Sequence, residues 1–255
     1  MFLPTATSTA QAGKTGSEYC PIDLPQGHIF VPKNQVYNYE MEKLIQELLD
    51  FNALKTPNII EAFRGIDRKD FVLPEYKHEA YENYPLSIGF GQTISQPYTV
   101  AFMLELLQPD AGEKILDIGS GSGWQTAMLA HIISRSHTHA NKRVPQGKVF
   151  AIEVIPELKE LGERNVSKYN FIKSGIVSFI ATNAKDGLPK EAPFDKIIAA
   201  AALEDNIPES WKNQLKVGGH IVTPVRDSIV LLIKKSEKTF EKQEFPGFAF
   251  VPFVK

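Results

Sequence analysis

The chain has 255 residues, a formal charge of −2 and an isoelectric point near 6.3. That balance supplies no electrostatic footprint for nucleic acid, and the length suits one sizeable α/β domain with an appendage. The single cysteine, Cys20, excludes an internal disulfide, no apolar run approaches the roughly 18–20 residues of a membrane span, and the start lacks a secretory signal pattern; a cytoplasmic location is the expectation.

Residues 1–36 are rich in Thr, Ser, Gly and Pro without period and read as a loosely ordered extension. From Asn38, the residues Met41, Leu44, Ile45, Leu48 and Leu49 recur at helical spacing. Thr56-Pro57 then offers a cap followed by proline at the first helical position, ahead of the stripe Ile59, Ile60, Phe63 and Ile66. Both helices read as cover for one side of a sheet. In residues 84–98, glycines at 89 and 91 and prolines at 85 and 97 mark a loop or short hairpin. It ends in Ser95-Gln96-Pro97, just before the helical period Val100, Met103, Leu104 and Leu107. Ser95 therefore falls at or beside a helix N-terminus. Two readings stand there: a plain N-cap, or a hydroxyl that joins free N–H groups and the helix dipole in receiving an anion.

Next comes a buried strand, Ile115-Leu116-Asp117-Ile118, then Gly119-Ser120-Gly121-Ser122-Gly123, then the helical Trp124–Ala130 run. Strand, glycine turn and helix in that order make a nucleotide-binding elbow. A P-loop ends in Gly-Lys-Ser/Thr, whereas Gly123 is followed by Trp124 and Gln125. The dinucleotide fingerprint needs Gly-x-Gly-x-x-Gly, and here the third glycine arrives one residue early. Asp117 stands where a diphosphate is unwelcome and an ammonium or sulfonium charge is welcome, as in S-adenosylmethionine. A glycine turn without a ligand is the bland alternative. A second apolar run, 148–152, ends in Glu153, the position from which an acid accepts hydrogen bonds from ribose hydroxyls; its plain alternative is a solvated charge at a strand end. Glu153 lies farther along than usual because the polar stretch 134–146 reads as a surface insertion.

Further strands are expected over 176–181, 195–200, 220–225, 229–234 and 247–253, with helical patterns between most of them. That alternation calls for a mostly parallel sheet covered on both faces, with the last two strands as an antiparallel edge hairpin. The partition expected is an extension over 1–36, helices and an active-site loop over 37–110, and a core over 111–255. His131, His137 and His139 contain a His-x-His, but without a nearby cysteine a metal site is not expected. Trp124 and Trp211 read as packing residues.

Several strings resemble the protein-L-isoaspartate (D-aspartate) O-methyltransferase family. They are Gly91-Gln92-Thr93-Ile94-Ser95-Gln96-Pro97, Leu116–Gly123, Ala192-Pro193-Phe194-Asp195-Lys196-Ile197-Ile198, Gln214–Gly219 and the terminal Phe250–Lys255. Asp67-Arg68-Lys69-Asp70-Phe71-Val72 resembles the family's early Pro-Arg-x-x-Phe-Val segment. The resemblance runs in order from about residue 40 to the end. It implies an α/β, Rossmann-like, S-adenosylmethionine-dependent methyltransferase fold with a helical N-terminal cap and an antiparallel edge. It implies methyl transfer to the α-carboxylate of L-isoaspartyl residues in damaged proteins and peptides; a monomer is the expectation. By resemblance, Ser95 is the active-site serine, and the cofactor site falls on Ile94, Asp117, Gly119, Ser120, Gly121, Glu153, Val154, Asn183 and Ala184.

No general base is evident, and none is needed. An α-carboxylate has a pKa of roughly 3.5 and is already a nucleophile at neutral pH. Two departures from the family pattern stand out. Thr182-Asn183-Ala184 replaces Gly-Asp-Gly where an aspartate faces the adenine, and Arg226 replaces the glycine of Pro-Val-Gly. Asn183 keeps an acceptor oxygen, whereas Ala184 is less able than glycine to take a positive φ. Arg226 either clamps a carboxylate or points into solvent. These departures leave two other readings open: a related enzyme acting on a different carboxylate, and a cofactor-binding adaptor that has lost catalysis.

Overall fold

The computed structural model describes residues 19–24, 27–134 and 146–253, with side chains from residue 39 onward. It divides into two units, residues 1–42 and 43–255. The first holds an antiparallel hairpin of β1 (Tyr19–Leu24) and β2 (Gly27–Pro32), and the start of helix α1 (Lys33–Asp50). The expectation of a loosely ordered segment up to residue 36 is therefore corrected in part. Tyr19–Leu24 and Gly27–Pro32 pair with each other in register from Tyr19 opposite Pro32 to Leu24 opposite Gly27.

In the second unit the apolar stripe of α1 is buried through Leu44, Ile45 and Leu48. Helix α2 (Pro57–Gly65) packs on α4 (Trp124–Ser134) and buries Ile59, Ala62 and Phe63. Its expected cap is differently made. Thr56 holds the N-cap position, but its hydroxyl donates to Glu105 Oε2 at 2.6 Å, and Glu105 Oε1 accepts from the Lys55 and Thr56 N–H groups at 2.7 Å. A short hairpin, β3 (Leu86–Gly89) and β4 (Gln92–Ile94), leads into helix α3 (Pro97–Leu107), which packs on the sheet.

The main sheet has seven strands in the order β11-β10-β9-β8-β5-β6-β7. Its parallel part comprises β5 (Lys114–Ile118), β6 (Lys148–Glu153), β7 (Val177–Ala181), β8 (Phe194–Ala199) and the pairing of β8 with β9 (Leu215–Val225). The central strands β5, β6 and β8 are buried along nearly their whole length, so they read as near-continuous apolar runs. Helix α5 (Pro156–Ser167) crosses from β6 to β7, and the short α6 (Glu209–Asn213) precedes β9. Beneath them lies a core cluster that includes Leu116, Ile118, Phe150, Phe194, Trp211, Ile221 and Leu232. Each such large side chain contributes about 1.5–3 kcal/mol on burial.

β10 (Ser228–Lys234) pairs antiparallel with both β9 and β11 (Phe240–Pro246). The antiparallel edge is present, but its last strand is not the expected 247–253. Residues 240–246 carry mostly charged and polar side chains because they form a solvated edge, which masks the strand pattern. Residues 247–253 instead cross back over the carboxyl ends of the strands, where Pro252 bridges to Ala202. The stretch read as an insertion, 134–146, lies outside the described residues apart from Ser134 and Gln146, as do His137 and His139.

Candidate active site

β5 neighbours β6 on one side and β8 on the other, so the chain reverses direction across the sheet beside it. Open α/β sheets bind ligands at such a switch, outside the carboxyl ends of the strands. A cleft with about 790 Å³ of empty space, part of it open to solvent, lies there.

The glycine elbow forms one wall. Gly119, Gly121 and Gly123 all have positive φ, at 73°, 50° and 85°. The Ile152 carbonyl accepts from the N–H groups of Gly119 at 2.8 Å and Ser120 at 3.2 Å, which ties the elbow to β6. At Gly123 a Cβ would sit 2.8 Å from Val166 Cγ2 and 2.9 Å from the Gly162 carbonyl, so α5 approaches too closely for any side chain. The elbow thus presents main chain to the cleft. Ser120 is buried, and its hydroxyl finds no partner among the described residues. A buried polar atom left so in the wall of a cleft fits a bound polar group.

Glu153 closes the floor. It is 5% exposed, its Oε2 accepts from the Gly121 N–H at 3.0 Å, and its Oε1 accepts from Val154 and Ile155 N–H at 2.9 and 3.1 Å. A carboxylate has about four lone-pair directions, so these bonds orient it and leave acceptor capacity toward the cleft.

Asp117 is placed differently. It is fully buried and does not line the cleft. Its carboxylate accepts from Gln125 Nε2 at 2.8 Å and from the Thr126 hydroxyl, both on the first turn of α4. Burial raises its pKa to about 6, the Thr126 and Gln125 hydrogen bonds oppose that rise, and Glu153 adds to it. Gln125, not Asp117, reaches the cleft lining, so Asp117 acts on a ligand only through Gln125 or through space.

The opposite wall is the β3–β4 hairpin and the turn into α3. Ile88, Gln92, Thr93, Ile94 and Ser95 line it. Ser95 precedes the N-cap residue Gln96, so it is not itself the cap. The helix N-terminus is less open to an anion than its position suggests. Pro97 has no N–H, and the Tyr98 N–H already donates to Asn83 Oδ1 at 3.0 Å. Among the readings of Ser95, the plain N-cap is therefore excluded, and the residue lines the cleft.

Of the remaining expected residues, Val154 and Ala184 line the cleft and Asn183 does not. Asn183 is exposed and caps a 3-10 turn at Ala184–Asp186, its Oδ1 accepting from the Lys185 N–H at 2.9 Å. Ala184 fits that turn without a positive φ; Gly187, three residues later, takes one at 66°. Trp211 Nε1 donates to the Ala184 carbonyl at 2.9 Å, which holds the turn in place. Arg226 lies at the surface, 3.0 Å from Asp205, with φ of 56°. That left-handed backbone explains why glycine suits the position. The carboxylate it clamps is this chain's own.

Residues not expected from the sequence also line it, among them Gln92, Gln125, Leu158 and the returning Val251, Pro252 and Phe253. Gln92 and the terminal three were inside quoted family strings, but nothing in their spacing announced a wall. Trp124 both packs, edge-on to Phe63 at 5.7 Å, and lines the cleft. Among the described residues no group of three or more His, Cys, Asp or Glu could hold a metal ion, and no helix is long and apolar enough to cross a membrane.

A mostly parallel seven-stranded sheet, with a glycine elbow and a strand-end acid under a cleft at its switch point, defines the class: a Rossmann-like, S-adenosylmethionine-dependent methyltransferase. The family model described as protein-L-isoaspartate(D-aspartate) O-methyltransferase matches residues 39–255. A protein-L-isoaspartate O-methyltransferase of Pyrobaculum islandicum is 38% identical over 83% of this chain and 96% of its own length. One of Staphylothermus marinus is 38% identical over 86% of this chain and 95% of its own. In fold, the chain is similar to a Plasmodium falciparum protein assigned to the same activity and solved in complex with S-adenosyl-L-homocysteine. The TM-score is 0.71 at 21% identity, covering 83% of this chain and 97% of that one. The chain belongs to the protein-L-isoaspartate(D-aspartate) O-methyltransferase family.

Proposed function

We propose that this cleft methylates the α-carboxylate of L-isoaspartyl residues in damaged proteins and peptides, with Ser95 receiving the carboxylate and the elbow side holding S-adenosylmethionine. The observation that supports this assignment of roles is that one cleft is lined by Ser95 and by the elbow, Glu153 and Ser120, whose hydroxyl has no partner among the described residues. S-adenosylmethionine supplies a methyl group on a sulfonium, which a carboxylate oxygen takes as the sulfur leaves as a neutral thioether. On this reading Glu153 accepts from the ribose hydroxyls, Ser120 pairs its buried hydroxyl with the cofactor, and Ile94, Val154, Leu158 and Ala184 flank it. Gly119 and Gly121 let it approach the main chain, and Asn183 remains a candidate at the adenine end. Asp117 orients Gln125.

Ser95 donates to the carboxylate and fixes which oxygen faces the methyl. Val251, Pro252 and Phe253 shut out water. Alignment of reacting atoms in a dry site is worth up to about 7–11 kcal/mol, and no proton has to move before transfer. The neighbouring backbone amide nitrogen then attacks the carbonyl of the product ester, and the methoxy group leaves as methanol with the amide proton, giving a succinimide whose hydrolysis returns part of the material to a normal aspartyl linkage. In the same proposal the chain acts as a cytoplasmic monomer without nucleic acid, with residues 37–110 supplying the carboxylate wall and 111–255 the cofactor wall.

The test is transfer of labelled methyl to an isoaspartyl peptide and to its normal aspartyl twin. Labelling confined to the isoaspartyl peptide is expected. Equal labelling of both would point to another carboxylate, and cofactor binding without labelling to an adaptor.

A further inference from the structure

Arg68 is one of the largest fully buried side chains, at 0% exposure. Its four hydrogen bonds all go to carbonyl oxygens. Nη1 donates to Ala80 at 3.0 Å and Glu82 at 3.1 Å, and Nη2 donates to Tyr84 at 3.0 Å and Ser95 at 3.1 Å. The guanidinium carbon lies 5.3 Å from the Trp124 ring centroid, and Nε has no partner among the described residues. Burial pushes its pKa down to about 9, with Tyr84 opposing the shift, so it is still charged at neutral pH. Burying a charge on carbonyl dipoles and an aromatic face, with one N–H unsatisfied, is a costly way to cross-link a loop.

The placement of those carbonyls gives the cost a purpose. Tyr84 stands two residues before β3 and Ser95 one residue after β4, so a single nitrogen ties both ends of the hairpin that walls the cleft. The Ser95 carbonyl is turned toward Arg68, and in a planar trans peptide the following N–H, that of Gln96, is turned the opposite way. The orientation of the Ser95 main chain is therefore set by Arg68. No neutral side chain carries a planar fork with enough donors to reach four carbonyls at once, and lysine has donors but no fork.

We propose that Arg68 is a positioning residue for methyl transfer: by closing the base of the β3–β4 hairpin on the Tyr84 and Ser95 carbonyls, it holds the Ser95 hydroxyl where the substrate carboxylate is received. This rests on the role given to Ser95 above.

The test is a double-mutant cycle of Arg68→Lys and Ser95→Ala in the full chain. Folding is followed by thermal melting, S-adenosylhomocysteine affinity by calorimetry, and turnover with a labelled-methyl assay on an isoaspartyl peptide. Arg68→Gln is carried alongside as a neutral donor. Parental activity is measured first, since a parent that does not label the isoaspartyl peptide overturns the functional reading and this inference with it. In the active parent, Arg68→Lys is expected to lower kcat/KM for the peptide at least tenfold while cofactor affinity stays within threefold. In the Ser95→Ala background the same change is expected to cost less than threefold. Equal losses in both backgrounds, or cofactor affinity falling in step with peptide turnover, would mark Arg68 as structural only and overturn the proposal. So would unfolding of both Arg68 variants, or a folded Arg68→Lys with parental kcat/KM.

Discussion

The two walls of the cleft solve the same problem, presenting main chain and a few polar atoms to a ligand, by opposite means. The elbow at Gly119–Gly123 is shaped from within. Three positive-φ glycines set its path, and close contact with α5 allows nothing larger at Gly123. The hairpin wall is shaped from without. Its geometry depends on Arg68, distant in sequence, grasping carbonyls at Tyr84 and Ser95, and on Asn83 taking the Tyr98 N–H. A local design tolerates few substitutions inside the loop. A remote design leaves the loop sequence freer and places the vulnerability elsewhere. Changes in the elbow should therefore strike cofactor binding and stability together, whereas changes at the hairpin should strike turnover alone.

Gly123→Ala gives the largest expected effect. Its Cβ meets Val166 and the Gly162 carbonyl at a φ of 85°, so a loss of about 2–4 kcal/mol is expected. S-adenosylhomocysteine affinity should fall more than tenfold by calorimetric titration. A stable variant with parental affinity would dissolve the contrast.

Asp117 comes next, through pH. Burial holds its pKa at about 6, above its ordinary 3.8, so the folded chain keeps this proton more tightly than the unfolded chain. Its contribution to stability is full only well below 3.8 and is lost as pH rises through 6, a total swing of roughly 3 kcal/mol. Asp117→Asn lacks the swing. The parent's stability minus the variant's should fall by about 2 kcal/mol between pH 4 and 7 in denaturant titrations, and a flat difference would refute it.

Ser95→Ala tests the other wall. Loss of one hydrogen bond to a charged carboxylate costs about 1.5–3 kcal/mol, or roughly 10–100-fold in turnover. Cofactor affinity and melting temperature should stay near parental; a matching fall in affinity would mean the walls are not separable. The smallest effect is expected at Arg226, an exposed partner of Asp205 in strained backbone. Glycine there relieves the backbone and removes a surface ion pair, each worth about 1 kcal/mol or less. Arg226→Gly should change stability by under about 1 kcal/mol and leave the peptide KM alone. A raised KM would bring Arg226 to the substrate.

The same contrast explains what could be read from the residues alone. Glycine reports on its own backbone, so the elbow, the strand before it and Glu153 were legible, and the buried strands of the core with them. Arg68 was visible only as part of a family string, because its partners are main-chain carbonyls 12–27 residues away that any sequence possesses. Asp117 was legible as an acid beside the elbow, but spacing does not tell which of two neighbours lines the cleft, and Gln125 does. β11 was missed because an edge strand has no buried face to impose a period-two pattern, and apolar content drew attention to 247–253 instead.

That edge has a bearing on the work of the molecule. β11 ends one side of the main sheet, and its middle residues Glu241, Lys242, Gln243 and Glu244 are exposed, with Lys242 and Glu244 paired to each other and Glu241 to Lys235. Unpaired strand edges invite other chains to add as further strands, and charge along the edge discourages them. For an enzyme of a family that acts on other polypeptides, a charged border makes this side of the sheet a poor place for a bound chain to add as a further strand.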